Sequence, residues 1–398
     1  MLSSDLMMPT VSVIIPTYKE AENLPLLIPQ IASVLGARGW TWEVIVVDDN
    51  SPDLTRHVLD ELSMRFPQVR FLIRLQDRGL SSAVLAGLEL AHHDYVVVMD
   101  ADLSHPAEAI PDMIEKLTQG TSDFVIGSRY VEGGKTEDWS RLRWLNSAGA
   151  TLLAKPLVGS VKDPMAGFFA MRRESLRQTA ALNPIGYKIG LELIVKTGLS
   201  ADRVAEVPIT FKNRIHGESK LTMKEQFKYL EHLSRLYDFK FPKASPRAKF
   251  LIAAGCGGAA CYAALAAFLA IPVLHMAGWV QVIWPLLAIA AGLAAMILVT
   301  LAFFVRYVRT QRAFLMMKNP YTEFTCISAA ELIAGWGFAV STLANIYLQM
   351  TVGLVIVMMV RYTLRKVFLH DLRGIRGIPN AQASLRLTLA PKARTSAA

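Results

Sequence analysis

Between residues 10 and 130, short apolar runs alternate with segments of helical periodicity, and this alternation restricts the fold more than any other feature. Residues 11–15, 43–47, 69–73, 95–99 and 124–126 read as strands, rich in β-branched residues and bounded by polar ones. Between them, residues 22–35, 54–66, 81–91 and 106–117 place apolar side chains at helical spacing. Pro106 suits a first helical turn, where its missing N–H costs nothing. Strand–helix alternation implies a parallel sheet with right-handed crossovers, the architecture of nucleotide-binding domains. Further on, Gly133, Gly134 and the polar stretch to residue 140 read as a mobile connection, 142–158 as a helix, and 168–172 and 204–211 as strands. Residues 222–241 form an amphipathic stretch with Phe227, Leu230, Leu233, Leu236 and Tyr237 on one face. Such a helix suits packing on the domain surface or, placed just before the apolar tract, a bilayer surface.

The composition changes after Lys249. Of the 398 residues 53% are hydrophobic, and the excess is concentrated here. Residues 250–271 and 280–305 carry no charge, and 326–360 hold a single charged residue, Glu331. Each is at least as long as the ~20 residues a bilayer span needs. Dividing the last gives four expected spans, at about 250–271, 280–305, 325–344 and 347–364. Arg306, Arg309, Arg312 and Lys318 follow the second, and Arg361, Arg365, Lys366, Arg373 and Arg376 the fourth, whereas the other two connections lack Lys and Arg. Positive loops stay inside, so both termini and the front domain are expected in the cytoplasm. The start of the chain does not read as a signal peptide, and residues 381–398 read as a disordered tail. Cys256, Cys261 and Cys326 lie in apolar tracts and offer neither metal spacing nor a disulfide framework. A formal net charge of +9 suits an anionic partner. No Lys/Arg tract with interleaved aromatics is present, so nucleic acid is not expected.

The chemistry gathers at strand ends. Asp100-Ala101-Asp102 follows the apolar run 95–99, which puts two carboxylates at the carboxyl end of a strand, where open α/β sheets hold their ligands. Close carboxylates repel unless a cation sits with them, and the natural partner is a hard divalent ion carrying a diphosphate. Alone, the triplet is equally readable as a turn capping the next helix. Two further polar ends accompany it: Pro16-Thr17-Tyr18-Lys19-Glu20, whose ring can stack on a base, and Asp48-Asp49-Asn50-Ser51-Pro52-Asp53.

Together these motifs, with Gly127-Ser128-Arg129-Tyr130, Asp163-Pro164-Met165-Ala166-Gly167-Phe168 and Arg214-Ile215-His216-Gly217-Glu218-Ser219-Lys220, resemble family 2 glycosyltransferases, and within them the dolichol-phosphate (polyprenol-phosphate) mannose synthases. The tail resembles the four-helix GtrA-like membrane module. The resemblance implies an α/β GT-A domain over 1–240 (222–241 its interface helix), followed by an all-α four-helix transmembrane domain over 245–370. It also implies transfer of mannose from GDP-mannose to a polyprenyl monophosphate with Mg²⁺ or Mn²⁺. By position, Pro16, Tyr18, Glu20, Val47 and Asp49 would hold the nucleotide. Asp100, Ala101 and Asp102 would meet the ribose–diphosphate and the metal, Asp100 and Asp102 as metal ligands. Asp102, Arg129, Arg214 and Lys220 would carry the chemistry, the three cations holding phosphates, and Arg143 and Ser147 would sit near the acceptor. Ser104 stands where the family usually has a metal-binding Gln, so either its hydroxyl or a water would take that place. His105 reads as a helix cap and His216 as a loop-shaping residue. The rival expectations are transfer from a UDP-sugar such as UDP-glucose, and a lipid-linked sugar flippase or scaffold with an inactive transferase domain.

Overall fold

The structure, a computed structural model, describes residues 8–269 apart from 77, 137–140, 181, 213–222, 243 and certain side chains, 141–145 among them, together with a few positions between 287 and 355. It divides into two units, Met1–Lys240 and Phe241–Ala398.

The first unit begins with β1 (Thr10–Thr17), α1 (Leu24–Ala37), β2 (Thr41–Asp48), α2 (Thr55–Arg65), β3 (Val69–Ile73), α3 (Leu80–Leu90) and β4 (Tyr95–Val98). A 3-10 turn at Ala107–Ala109 leads into α4 (Ile110–Thr118), followed by β5 (Phe124–Ser128), β6 (Lys135–Thr136) and α5 (Arg141–Val158). Then come β7 (Phe169–Arg172), α6 (Ile189–Lys196), β8 (Val204–Pro208), β9 (Thr210–Phe211) and α7 (Met223–Lys240). The expected strands and helices form close to their sequence limits. Two differ: the stretch 204–211 is broken at Ile209 into β8 and β9, and part of the connection after Gly134 is strand β6, paired parallel to β9.

The main sheet runs β3-β2-β1-β4-β7-β5-β8. Its first four strands are mutually parallel, and β5 is parallel to β8. The strands of the alternating region, β1 to β5, all run in one direction as expected, and β7, to which the alternation assigned no direction, runs antiparallel to both β4 and β5. This reversal has a consequence for function. β7 enters the sheet at the edge where its neighbours leave it, so the loop preceding β7 arrives beside the carboxyl ends of β4 and β5. Strand order also reverses between β1 and β4, making a topological switch point at that edge.

The strands are buried on both faces, as parallel sheets require. Val13, Ile15, Val44, Val46 and Val97 pack with Leu24, Leu27, Ile28 and Ile31 of α1 and with Ile110, Met113 and Ile114 of α4. Phe124 and Phe169 stack with centroids 5.1 Å apart. Helix α7 is tied to α5 by hydrogen bonds from the Tyr229 hydroxyl to Ala150 O (2.7 Å) and from the Tyr237 hydroxyl to Leu153 O (2.8 Å). Its apolar residues divide between two faces: Leu233 and Leu236 are buried, whereas Phe227 and Leu230 are exposed.

The second unit begins with α8 (Ser245–Leu269), on which most of the first expected span falls. Among the described residues no helix is long and apolar enough to cross a membrane. The other three expected spans and the tail 381–398 lie almost wholly outside the described residues.

Candidate active site

At the end of β4 the chain turns sharply through Leu103, whose φ of 62° lies in the left-handed region. The turn folds the acidic loop onto itself. Ser104 donates to Asp102 Oδ1 from both its backbone N–H (3.1 Å) and its hydroxyl (2.5 Å). The Asp100 N–H donates to Nδ1 of His105 (3.0 Å), so in the neutral ring the proton resides on Nε2. That ring is buried, stacked on Phe168 at 5.1 Å and met edge-on by Phe211 at 5.6 Å. Burial pushes the His105 pKa below the ordinary histidine value, against the opposing pull of Asp100 and Asp102. His105 is thus an internal brace of the acidic loop, which corrects its reading as a helix cap. Gly167 closes the other side. A Cβ there would lie 3.4 Å from Asp100 Oδ2 and 3.6 Å from the His105 ring, in van der Waals contact with both, so the loop packs directly against the carboxylate.

Asp100 and Asp102 offer oxygen ligands on one short loop, which fits a hard cation. The Ser104 hydroxyl, one of the two expected substitutes for the metal-binding Gln, is wholly buried and directs its proton to Asp102, which favours the other, water. Among the described residues no group of three or more His, Cys, Asp or Glu could hold a metal. A cation here would therefore take few protein ligands and complete its shell with substrate phosphate and water, as Mg²⁺ commonly does.

Facing this loop are three charged residues from separate elements. Arg129, just after β5, grips Asp163 with a planar fork: Nε to Oδ2 and Nη2 to Oδ1, both at 2.7 Å. Its backbone N–H adds a third bond to Oδ2 at 3.0 Å. Asp163 is completely buried. Its own N–H is held by Glu206 Oε1 at 2.9 Å, so β8 helps to fix the loop. The pair raises the Arg129 pKa despite burial, and its guanidinium also lies 5.5 Å from the Phe211 ring centre. The third residue is Lys188, which leads into α6 and donates to Met165 O at 2.8 Å. Burial first, and the Arg129 charge second, push its pKa down to about 8, against the pull of Asp163 and Asp100.

The β1 and β2 ends are cross-braced. Pro16 lies opposite Val47, and Thr17 opposite Asp48. Asp48 is consumed by local structure, accepting from Ser51 N–H (2.8 Å), the Ser51 hydroxyl (2.6 Å) and the Thr17 hydroxyl (3.2 Å). Asp49 Oδ1 is paired with Arg74, and its Oδ2 accepts the Gly79 N–H at 2.6 Å. That carboxylate holds the loop after β3 onto the β2 end. Glu20 accepts from the Asn23 amide at 2.7 Å, and the Tyr18 ring is partly exposed beside Lys19.

The structure therefore brings Asp100, Ala101, Asp102 and Arg129 together at the β4–β5 end, and Pro16, Tyr18, Glu20, Val47 and Asp49 at the β1–β2 end. Ser147 on α5 shares a 2.8 Å hydrogen bond with the Tyr130 hydroxyl. The Arg143 side chain, Arg214, Lys220 and His216 lie outside the described residues. Sequence reasoning gave no role to Asp163, Arg74 or Lys188. The available signal for Lys188 was a lysine between Gly186-Tyr187 and an apolar helix, at the helix end where a cation is least favoured.

The glycosyl transferase family 2 profile matches residues 12–179. The chain is similar to three dolichol-phosphate mannosyltransferases. That of Pyrococcus furiosus is 49% identical over 229 residues, covering 57% of this chain and 63% of the relative, under two thirds of its length. That of Mycosarcoma maydis is 41% identical, covering 58% of this chain and 81% of the relative. That of Saccharomyces cerevisiae is 42% identical, covering 58% and 88%. With its acidic strand end at the switch point of such a sheet, the chain belongs to the family 2 glycosyltransferases of the dolichol-phosphate mannosyltransferase group.

Proposed function

We propose that this protein transfers mannose from GDP-mannose to a polyprenyl monophosphate, with inversion, at the cytoplasmic face of a membrane. The observation that carries this reading is the meeting of the Asp100–Asp102 loop with Arg129, Asp163 and Lys188 at the switch-point edge. The names of the three relatives support the sugar and the acceptor.

Asp100 and Asp102 would hold Mg²⁺ or Mn²⁺. When bound, such an ion neutralises the donor diphosphate as it departs. Tyr18, Glu20 and Asp49 stand on the nucleotide side of the edge, Tyr18 as a stacking surface and Asp49 as the clamp of the adjoining loop. The Asp163 carboxylate fixes the Arg129 fork, so that its charge is oriented before substrate arrives. Arg214, Lys220, Arg143 and Ser147 are assigned to the phosphates and the acceptor by the motifs they occupy. The acceptor phosphate is already anionic at neutral pH, its second pKa being ~6. It needs orientation and charge screening rather than a strong general base. One of its oxygens forms the bond to the anomeric carbon from the side opposite the diphosphate. The bond from that carbon to the diphosphate oxygen breaks, and the electron pair leaves with the nucleoside diphosphate.

In this reading the residues from 245 onward form a GtrA-like module of four spans with both termini cytoplasmic. Helix α7 lies on the membrane surface, supported by its exposed Phe227 and Leu230.

A donor screen tests the proposal. Purified full-length protein is given Mg²⁺ or Mn²⁺, a short polyprenyl phosphate, and GDP-mannose, UDP-glucose or UDP-GlcNAc in turn. A mannolipid formed from GDP-mannose alone is expected. Preference for a UDP-sugar would replace the donor assignment, and no transfer from any donor would overturn the enzyme reading.

A further inference from the structure

The two oxygens of Asp163 are matched by the Arg129 fork, but the ammonium of Lys188 is not matched in this way. Lys188 has three N–H donors. Among the described residues it has one acceptor, the Met165 carbonyl at 2.8 Å, and no carboxylate within ion-pair distance. Its Nζ also lies 4.6 Å from the Tyr187 ring centre, a contact that offers no further acceptor. A part-buried cation held by one neutral carbonyl and a ring face is incompletely compensated.

Its position is unfavourable in a second way. Lys188 is the residue immediately before α6, where the N-terminal helix dipole repels positive charge and where Ser, Thr, Asp or Asn would normally cap. No side chain caps this helix. Helix dipole and lysine together concentrate positive potential at one point. That point adjoins the acidic loop: Lys188 holds Met165, and two residues later Gly167 lies against the Asp100 carboxylate. The charges of Arg129, Asp163 and Asp100 all act on this ammonium. At neutral pH it is still protonated, and an anion would supply the acceptors it lacks.

We propose that Lys188 is a further phosphate-binding residue of this site, donating through its Nζ to a substrate phosphate oxygen beside Asp100. The proposal rests on the transferase reading above. Two phosphates could supply that oxygen, the donor diphosphate or the lipid monophosphate, and the chemistry of recognition is the same for both.

The test compares the full-length protein with Lys188→Met and Lys188→Arg. Titration calorimetry with GDP and Mn²⁺ reads the donor side, and the KM for a short-chain polyprenyl phosphate reads the acceptor side. Losing a charge-assisted hydrogen bond should weaken one of them by about tenfold to a hundredfold in Lys188→Met, with substantial recovery in Lys188→Arg. The arm that moves identifies the phosphate. Unchanged values in both arms, or a fall in melting temperature alone, would overturn the assignment. Should Lys188→Met fail to fold, lysine-reactive footprinting of the wild type decides: GDP with Mn²⁺, or the lipid phosphate, should protect Lys188, and protection by neither refutes the idea. Wild-type protein that binds neither nucleoside diphosphate nor lipid phosphate would overturn the transferase reading itself. Normal wild-type binding matched by Lys188→Met overturns only the role of Lys188.

Discussion

The two ends of helix α6 carry one lysine each, and the contrast between them separates a structural charge from a functional one. Lys196 ends the helix, where the dipole favours a cation, and pairs at 2.5 Å with Glu192 one turn earlier. Glu192 is wholly buried and also receives the Asn183 N–H (2.6 Å), with His232 Nε2 of α7 at 3.0 Å from its other oxygen. This cluster is charge-paired and joins α6 to α7. Lys188 precedes the same helix at the disfavoured end and, among the described residues, is offered one carbonyl and a ring face but no carboxylate pair. Proteins tolerate such local conflict chiefly where function needs it. The comparison teaches that burial and charge alone do not mark a ligand site. What marks it is a charge whose surroundings leave it incompletely answered.

The largest effect should come from breaking the pair beside Lys188. Asp163→Ala leaves the Arg129 guanidinium buried without its carboxylate, which costs roughly 3–5 kcal/mol. It also releases the loop that lies against Asp100. Chemical denaturation should show the destabilisation, and transfer assays should show activity lost with it. Retention of both would mean that the Arg129–Asp163 pair organises nothing.

Lys196→Met probes the opposite end. Removing one partner of a buried carboxylate should cost about 2–3 kcal/mol, at or below the lower end of the buried-pair range because the lysine is partly exposed. The melting temperature should fall while GDP binding by the folded protein stays within about twofold of wild type. A loss of nucleotide affinity as large as that expected for Lys188→Met would erase the distinction between the two lysines.

The smallest effect is one of pH. Burial pushes the Glu192 pKa up, but the His232 hydrogen bond and the Lys196 charge outweigh it, so its pKa lies below the ordinary glutamate value. A group lowered in the folded state contributes stability fully above its unfolded pKa and loses it as pH falls through the folded one. Melting temperature measured from about pH 6 down to about pH 3 should therefore decline, and the decline should be shallower in Glu192→Gln. Equal slopes in the two proteins would show that Glu192 is not held by its partners.

Much of the first unit was legible because its strands are short β-branched runs separated by helices of regular period. Strand β3 forms at residues 69–73 as expected, and β1, β2 and β4 differ by no more than three residues at either end. The direction of β7 was not legible, since alternation of apolar residues carries no information about orientation. Only its pairing with β4 and β5 reveals it. The acidic strand end Asp100-Ala101-Asp102 could be read directly, because three residues in a row encode it. The partners that orient the site could not. Asp163 meets Arg129 across 34 residues, and Arg74 meets Asp49 across 25. The antiparallel strand brings its preceding loop, with Asp163 and Met165, to that edge, and Lys188 meets this loop by donating to Met165 O across 23 residues. Such contacts follow from the sheet's topology rather than from local pattern.

In the proposed reaction Asp102 holds the divalent ion through which the donor diphosphate is carried. GDP titrated into wild-type protein and Asp102→Ala, each with and without Mn²⁺, examines this directly. The ion should tighten GDP binding in the wild type and give no such gain in Asp102→Ala, whose transfer rate should fall by about a hundredfold or more. An equal gain from Mn²⁺ in both proteins, or full turnover by Asp102→Ala, would contradict it.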